Sequence, residues 1–155
     1  MEKKNDLIKV LVVEPEQTPY VKEIEPSLTS YQAEVGGYIQ AIYPFDDPVA
    51  IICNEEGKLN GLDLNRALRN EDGVIYDIVA GTFLVVGLGE EDFASLDDEH
   101  IQQFSRRFKT PEMFVSFNGK IIVPPMTEEG IQKQRTKVDK VRKNAVAHKQ
   151  MAERN

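Results

Sequence analysis

The chain has 155 residues, 41% apolar and 29% charged, with a formal net charge of −7. That composition supports a real core and excludes disorder of the whole. No run nears the ~18 consecutive apolar residues of a membrane-spanning helix, MEKKNDLIKV has no signal-peptide pattern, and the lone Cys53 cannot form an intrachain disulfide, so a reducing cytoplasm is expected and no membrane.

Leu7 to Val13 (LIKVLVV) is rich in β-branched residues and stops at Glu14–Pro15, so it reads as a strand. Tyr20 to Ile24 fits no single template. Pro26–Ser27 opens a predicted helix over Leu28 to Val35, closed by Gly36–Gly37. Tyr38 to Tyr43 reads as the next strand, with Tyr38, Gln40 and Ile42 on one face and Ile39, Ala41 and Tyr43 on the other. The FDDP turn joins it to a strand from Val49 to Cys53 as an antiparallel hairpin.

Leucines at 59, 62, 64 and 68 suggest a helical turn or short helix between Lys58 and Leu68. Asn70 to Gly73 is a strong turn signal. Val74 to Leu88 splits at Ala80–Gly81 into two strands meeting at a tight turn or glycine bulge. Ser95 to Phe108 opens like a capping box and carries Leu96, Ile101, Phe104 and Phe108 as one apolar stripe. Met113 to Phe117 and Lys120 to Val123 flank Asn118–Gly119, the clearest hairpin signal in the chain.

From Thr127 onward there is no aromatic residue. Eight Lys/Arg against four acids give this segment +4, which leaves −11 for residues 1–126. Ile131, Val138, Val141, Ala145 and Met151 form only a thin apolar line, so a basic helical extension is expected over 127–155, supporting a monomer or a weak dimer. The expected fold is α+β: a small, mostly antiparallel sheet with two packing helices in a domain over 1–126, followed by that C-terminal helical extension.

GLGEEDF (Gly87 to Phe93) has a G-x-G start but no third glycine, and acids follow where a phosphate should sit. His100 and His148 with one cysteine are too few for a zinc site, and the acid pairs lie in turns and helix starts, so no metal and no cofactor are expected. Cys53, ending an apolar strand, reads as a buried core thiol. The aromatics lack the basic neighbours of a nucleic-acid stacking surface.

What stands out is CNEEGKLNGLDLNRAL, Cys53 to Leu68, which gathers Asn54, Glu55, Glu56, Lys58, Asn65 and Arg66 around Gly57 and Gly61. These six are the candidate binding residues; none is assigned a catalytic role. Together with VLVVEP (Val10 to Pro15), EVGGYIQAI (Glu34 to Ile42) and DIVAGTFLVVG (Asp77 to Gly87), this run resembles the domain of unknown function 3846 family, short proteins often encoded on phages and conjugative elements of Gram-positive bacteria. The resemblance spans roughly residues 7 to 108. It implies an accessory role in a mobile genetic element and carries no assigned activity, cofactor or functional residue.

Three function classes follow from these readings. The first is a non-enzymatic binding module of a phage or mobile element, directed against host defence and engaging a protein partner through the polar loop. Its bland counterpart is a self-contained loop, with Glu55 paired to Lys58 or Arg66 and Asn54 and Asn65 capping turns. The second is a binder of, or enzyme acting on, a small anionic ligand such as a nucleotide or sugar phosphate: Lys58 and Arg66 would hold the anion while Glu55 or Glu56 contacts hydroxyls or acts as a base. The third is weak nucleic-acid binding through Lys133, Arg135, Lys137, Lys140, Arg142 and Lys143.

Overall fold

The computed structural model describes residues 6–124. In chain order the elements are β1 (Ile8–Val13), β2 (Tyr20–Ile24), α1 (Leu28–Val35), β3 (Ile39–Ile42), β4 (Val49–Asn54), β5 (Leu64–Arg69), β6 (Ile75–Ala80), β7 (Phe83–Leu88), β8 (Phe93–Ala94), α2 (Asp98–Arg107), β9 (Val115–Phe117) and β10 (Lys120–Ile122). The chain divides into two units, Met1–Pro111 and Glu112–Asn155. The boundary and helical extension expected at Thr127 lie outside the described residues, as do all the basic tail positions.

The most apolar strands take the middle of the sheet. Every residue of β4 is buried, as are five of the six in β7, so both faces of these strands need cover. The central sheet runs β2-β1-β7-β4-β3, with β8 added to β7, and all its pairings are antiparallel. The period-2 alternation sends Val10, Val12, Ala50, Ile52, Leu84 and Val86 to one face, where they pack with Tyr31 and Val35 of α1. Leu11, Val13, Val49, Ile51, Cys53, Phe83 and Val85 go to the other face, under α2 and the β5–β6 ribbon.

Local signals explain both helices. Ser27 caps α1, its Oγ accepting from the Ser30 amide at 3.2 Å. Gly36 ends it at φ 80°, a left-handed conformation that favours glycine. The cap of α2 is Asp97 rather than Ser95: Asp97 Oδ1 accepts from the His100 amide at 2.8 Å, while Ser95 Oγ accepts from the Lys9 amide at 3.0 Å. Asp97 wins because its acid sits at the first free N–H groups of the helix, with Asp98 and Glu99 behind it. Its apolar stripe is as expected, with Leu96, Phe104 and Phe108 buried. Phe104 and Phe108 join Phe45 and Phe83 in an aromatic cluster, rings 4.8–6.4 Å apart.

One expected element needs correction. Residues 58–68 form no helix: a turn over 55–61 leads into β5, which pairs with β6 around the Asn70–Gly73 turn. The leucine spacing misled because Leu64 and Leu68 are strand residues, and Leu59 is exposed at the turn. The two strands expected on either side of Ala80–Gly81 are present, with Gly81 at φ 82°, but they do not pair with each other. β6 belongs to the ribbon and β7 to the central sheet, so the chain changes sheets at that glycine. Tyr20–Ile24, left open by its sequence, is an edge strand.

In the second unit, β9 and β10 form the expected hairpin. Asn118 and Gly119 have φ 52° and 76°, the pair of positive values that suits a two-residue loop to twisted strands.

Candidate functional site

The six candidate residues separate into two groups with opposite environments. At the far end of the run, Asn65 and Arg66 are 0% and 1% exposed. β5 slips register against β6 between Leu64 and Arg66, leaving Asn65 as the extra residue of a bulge. A bulge re-aims side chains, and here it brings two consecutive polar groups into one buried network.

That network is built on backbone carbonyls. Asn65 Nδ2 donates to Val13 O at 2.8 Å and Gly81 O at 2.9 Å, tying the end of β1 to the junction of β6 and β7. Arg66 donates from Nε (3.1 Å) and Nη2 (2.8 Å) to Phe108 O, and from Nη2 to Gln17 O at 2.7 Å. Its Nη1 donates to Asn65 Oδ1 at 2.7 Å and Asn65 O at 3.3 Å. Phe108 follows α2, where carbonyls lack helical donors and the dipole favours a cation. One planar fork therefore fastens a helix end, the turn after β1 and the ribbon.

Past the buried Asn54, the near end of the run is exposed at Glu55, Glu56 and Lys58 to Asn60. Asn54, at the end of β4, holds its root: Nδ2 donates to Val35 O at 3.2 Å, and Oδ1 accepts from the Glu56 amide at 2.9 Å. Backbone bonds brace the turn, among them Glu55 N to Tyr38 O at 2.8 Å, Asn60 N to Glu56 O at 2.8 Å and Leu62 N to Gly57 O at 2.9 Å. Gly57 is required by space, since a Cβ there would stand 2.8 Å from Ala80 O. Lys58 Nζ meets Asp77 Oδ1 of β6 at 2.5 Å, the ion pair the sequence would have assigned to Glu55.

Glu55, Glu56 and Lys58 thus sit on an exposed but braced turn, with Leu59 83% exposed at its tip. Beside them lies an open groove of about 620 Å³ lined by Gln32 and Gly36 of the α1 end, Tyr38, Asn54, Glu56 and Asn60. A smaller hollow of about 160 Å³ adjoins it on the ribbon side, lined by Gln40, Ile42, Cys53, Lys58, Leu59 and Asp77. Arg66 lines neither. The Cys53 thiol is buried and its pKa is raised, first by burial and then by Asp77. His100 lies between Asp97 (2.9 Å) and Asp47 (3.5 Å), away from the turn; His148 lies outside the described residues. Among the described residues no cluster of three or more His, Cys, Asp or Glu side chains is arranged to hold a metal, and no helix is long and apolar enough to cross a membrane.

The model of the family described as Domain of unknown function (DUF3846) matches residues 8–109. The chain belongs to this family. The match ends two residues short of the first unit's last residue, Pro111, so that unit is the DUF3846 domain and Glu112 begins what lies beyond it. No curated protein and no solved structure matches the chain.

Leu59, Asn60 and Tyr38 are the site residues the sequence reading passed over. Leu59 counted there as one of a helical series, and only the turn geometry places it in solvent. Tyr38, just before β3, is 69% exposed.

Proposed function

We propose that the DUF3846 domain is a non-enzymatic binding module, an accessory protein of a phage or mobile genetic element acting in the cytoplasm. Its partner is a host protein, one of host defence. Its working surface is the 54–60 turn with the groove beside it. The observation that carries this reading is a large apolar side chain, Leu59, held in solvent on a braced turn between Lys58 and Asn60. An apolar anchor on a rigid support within a polar rim is the usual make-up of an interface centre, because little ordering entropy opposes binding. Tyr38 adds an amphipathic surface at the groove wall.

The anionic-ligand reading loses one of its two cations at this surface: Arg66 is spent on buried carbonyls, and the exposed Lys58 is shared with Asp77. The nucleic-acid reading rests on residues outside those described. Affinity capture from a host lysate, with wild type, Leu59→Asp and Glu56→Lys as bait, tests the binding reading. A partner retained by wild type and lost by both variants, each still folded by circular dichroism, supports it; equal retention by all three contradicts it.

A further inference from the structure

We propose that β3 accepts an added strand: a basic, extended segment of the partner pairs along this edge of the central sheet. The inference rests on the binding-module reading and names how the partner is held.

The two edges of the sheet differ. β2 carries Lys22 and Glu23, and Lys22 pairs with Glu34 at 2.7 Å; charge on an edge strand discourages further pairing. β3 reads Ile-Gln-Ala-Ile, without a charge, between two exposed tyrosines, Tyr38 and Tyr43 at 69% and 61%. Among the described residues its ladder is with β4 alone. Glu55 N donating to Tyr38 O marks Tyr38–Glu55 as a hydrogen-bonded pair. Alternation along the register makes Gln40–Cys53 and Ile42–Ile51 hydrogen-bonded pairs too, and turns the N–H and C=O groups of Ile39 and Ala41 off the sheet. Those groups are the template a new strand reads.

Charge selects the occupant. Asp46 and Asp47 stand in the turn beyond Ile42, though Asp47 is shared with His100 at 3.5 Å. Glu55 and Glu56 stand beside Tyr38, while Asp77 in the ribbon-side hollow is paired with Lys58, so that hollow adds no net charge of its own. Acids at both ends of the edge attract a basic strand. A second copy would bring the same acids together across a two-fold axis, which disfavours self-pairing. Alternate side chains of an added strand point to opposite faces, and each face has a hollow: Gln40 and Ile42 line the ribbon-side one, Tyr38 and Asn54 the one at the α1 end. Main-chain bonds and side-chain hollows are the two elements of recognition by strand addition.

The test is selection from a randomised library of short linear peptides on the full-length protein, followed by amide NMR with the best peptide. Enrichment of peptides with net positive charge is expected, together with slowed exchange of the Ile39 and Ala41 amides. Ala41→Pro removes an outward N–H without breaking the β4 ladder and should abolish binding. Gln40→Lys, at an exposed position, should weaken binding about tenfold by adding like charge. An empty selection, peptides with no basic bias, or peptides that bind both variants as they bind wild type would overturn the proposal. So would concentration-dependent dimerisation that both variants abolish, which would put a second copy on the edge. In the capture experiment, loss with Leu59→Asp but not with Ala41→Pro or Gln40→Lys rejects strand addition and keeps the binding module. Equal capture by all variants rejects the module itself.

Discussion

Glu55–Lys58 and Asn65–Arg66 lie in one polar run less than a dozen residues apart, and their composition alone would give them the same task. Their surroundings do not. Asn65 and Arg66 donate to carbonyls of Val13, Gln17, Gly81 and Phe108, so their polarity is consumed in closing the fold. Glu55, Glu56 and Lys58 face solvent on a turn whose own bonds come from the backbone and from Asn54. A dense cluster of functional groups is therefore two things here: an internal clamp and an outward surface. Burial, which composition does not encode, decides between them.

Substitutions can break this contrast, and the largest effect belongs at Arg66. Arg66→Ala strips hydrogen bonds from buried Phe108 and Gln17 carbonyls and leaves a void, so a loss of about 3–5 kcal/mol is expected from chemical denaturation. Arg66→Lys should recover little, because a point charge cannot serve the same fork of carbonyls. Asn65→Ala comes next. It orphans two buried carbonyls, Val13 O and Gly81 O, and should cost about 2–3 kcal/mol.

Asn54 belongs in between, joining β4 to the α1 end and the turn; Asn54→Ala should cost about 1–2 kcal/mol by the same measurement. The outward group should barely register: Glu55→Ala, Glu56→Ala and Leu59→Ala are each expected within about 0.5 kcal/mol of wild type. Lys58→Ala loses only an exposed ion pair, worth about 0.2–1 kcal/mol.

The smallest effect concerns pH. The His100 amide, and then its ring, bond the Asp97 carboxylate and hold its pKa below the ordinary Asp value. A carboxylate with a depressed folded-state pKa contributes stability that is present above the unfolded value, roughly 3.9. That contribution is lost as pH falls through the folded value. Asp97→Asn keeps a cap but cannot titrate, so the stability gap between it and wild type should narrow below about pH 4 in acid titrations.

Much of the fold was legible because local signals agreed with tertiary need. The β-branched run before Pro15, the Ser27 and Gly36 helix ends, the FDDP hairpin and the Phe104–Phe108 stripe all appear where their residue types place them. β5 was not legible as a strand because its leucine spacing imitates a helix. The Asn70–Gly73 turn, flanked by β5 and the apolar run of β6, was the signal that could have corrected it. At the site, residue types drew attention to the right stretch. They could not divide it, because the division depends on the bulge at Asn65 and on carbonyls contributed from Val13, Gln17, Gly81 and Phe108.

The most direct measurement is the thermal unfolding midpoint of Arg66→Ala beside that of a Glu55→Ala/Glu56→Ala double variant, scanned under one buffer condition. A fall of roughly 10–20 °C is expected for Arg66→Ala, following from about 3 kcal/mol in a domain of this size. The double variant should unfold within a few degrees of wild type. Comparable shifts in the two proteins, or a larger one in the double variant, would contradict the division of this run into a buried clamp and an exposed surface.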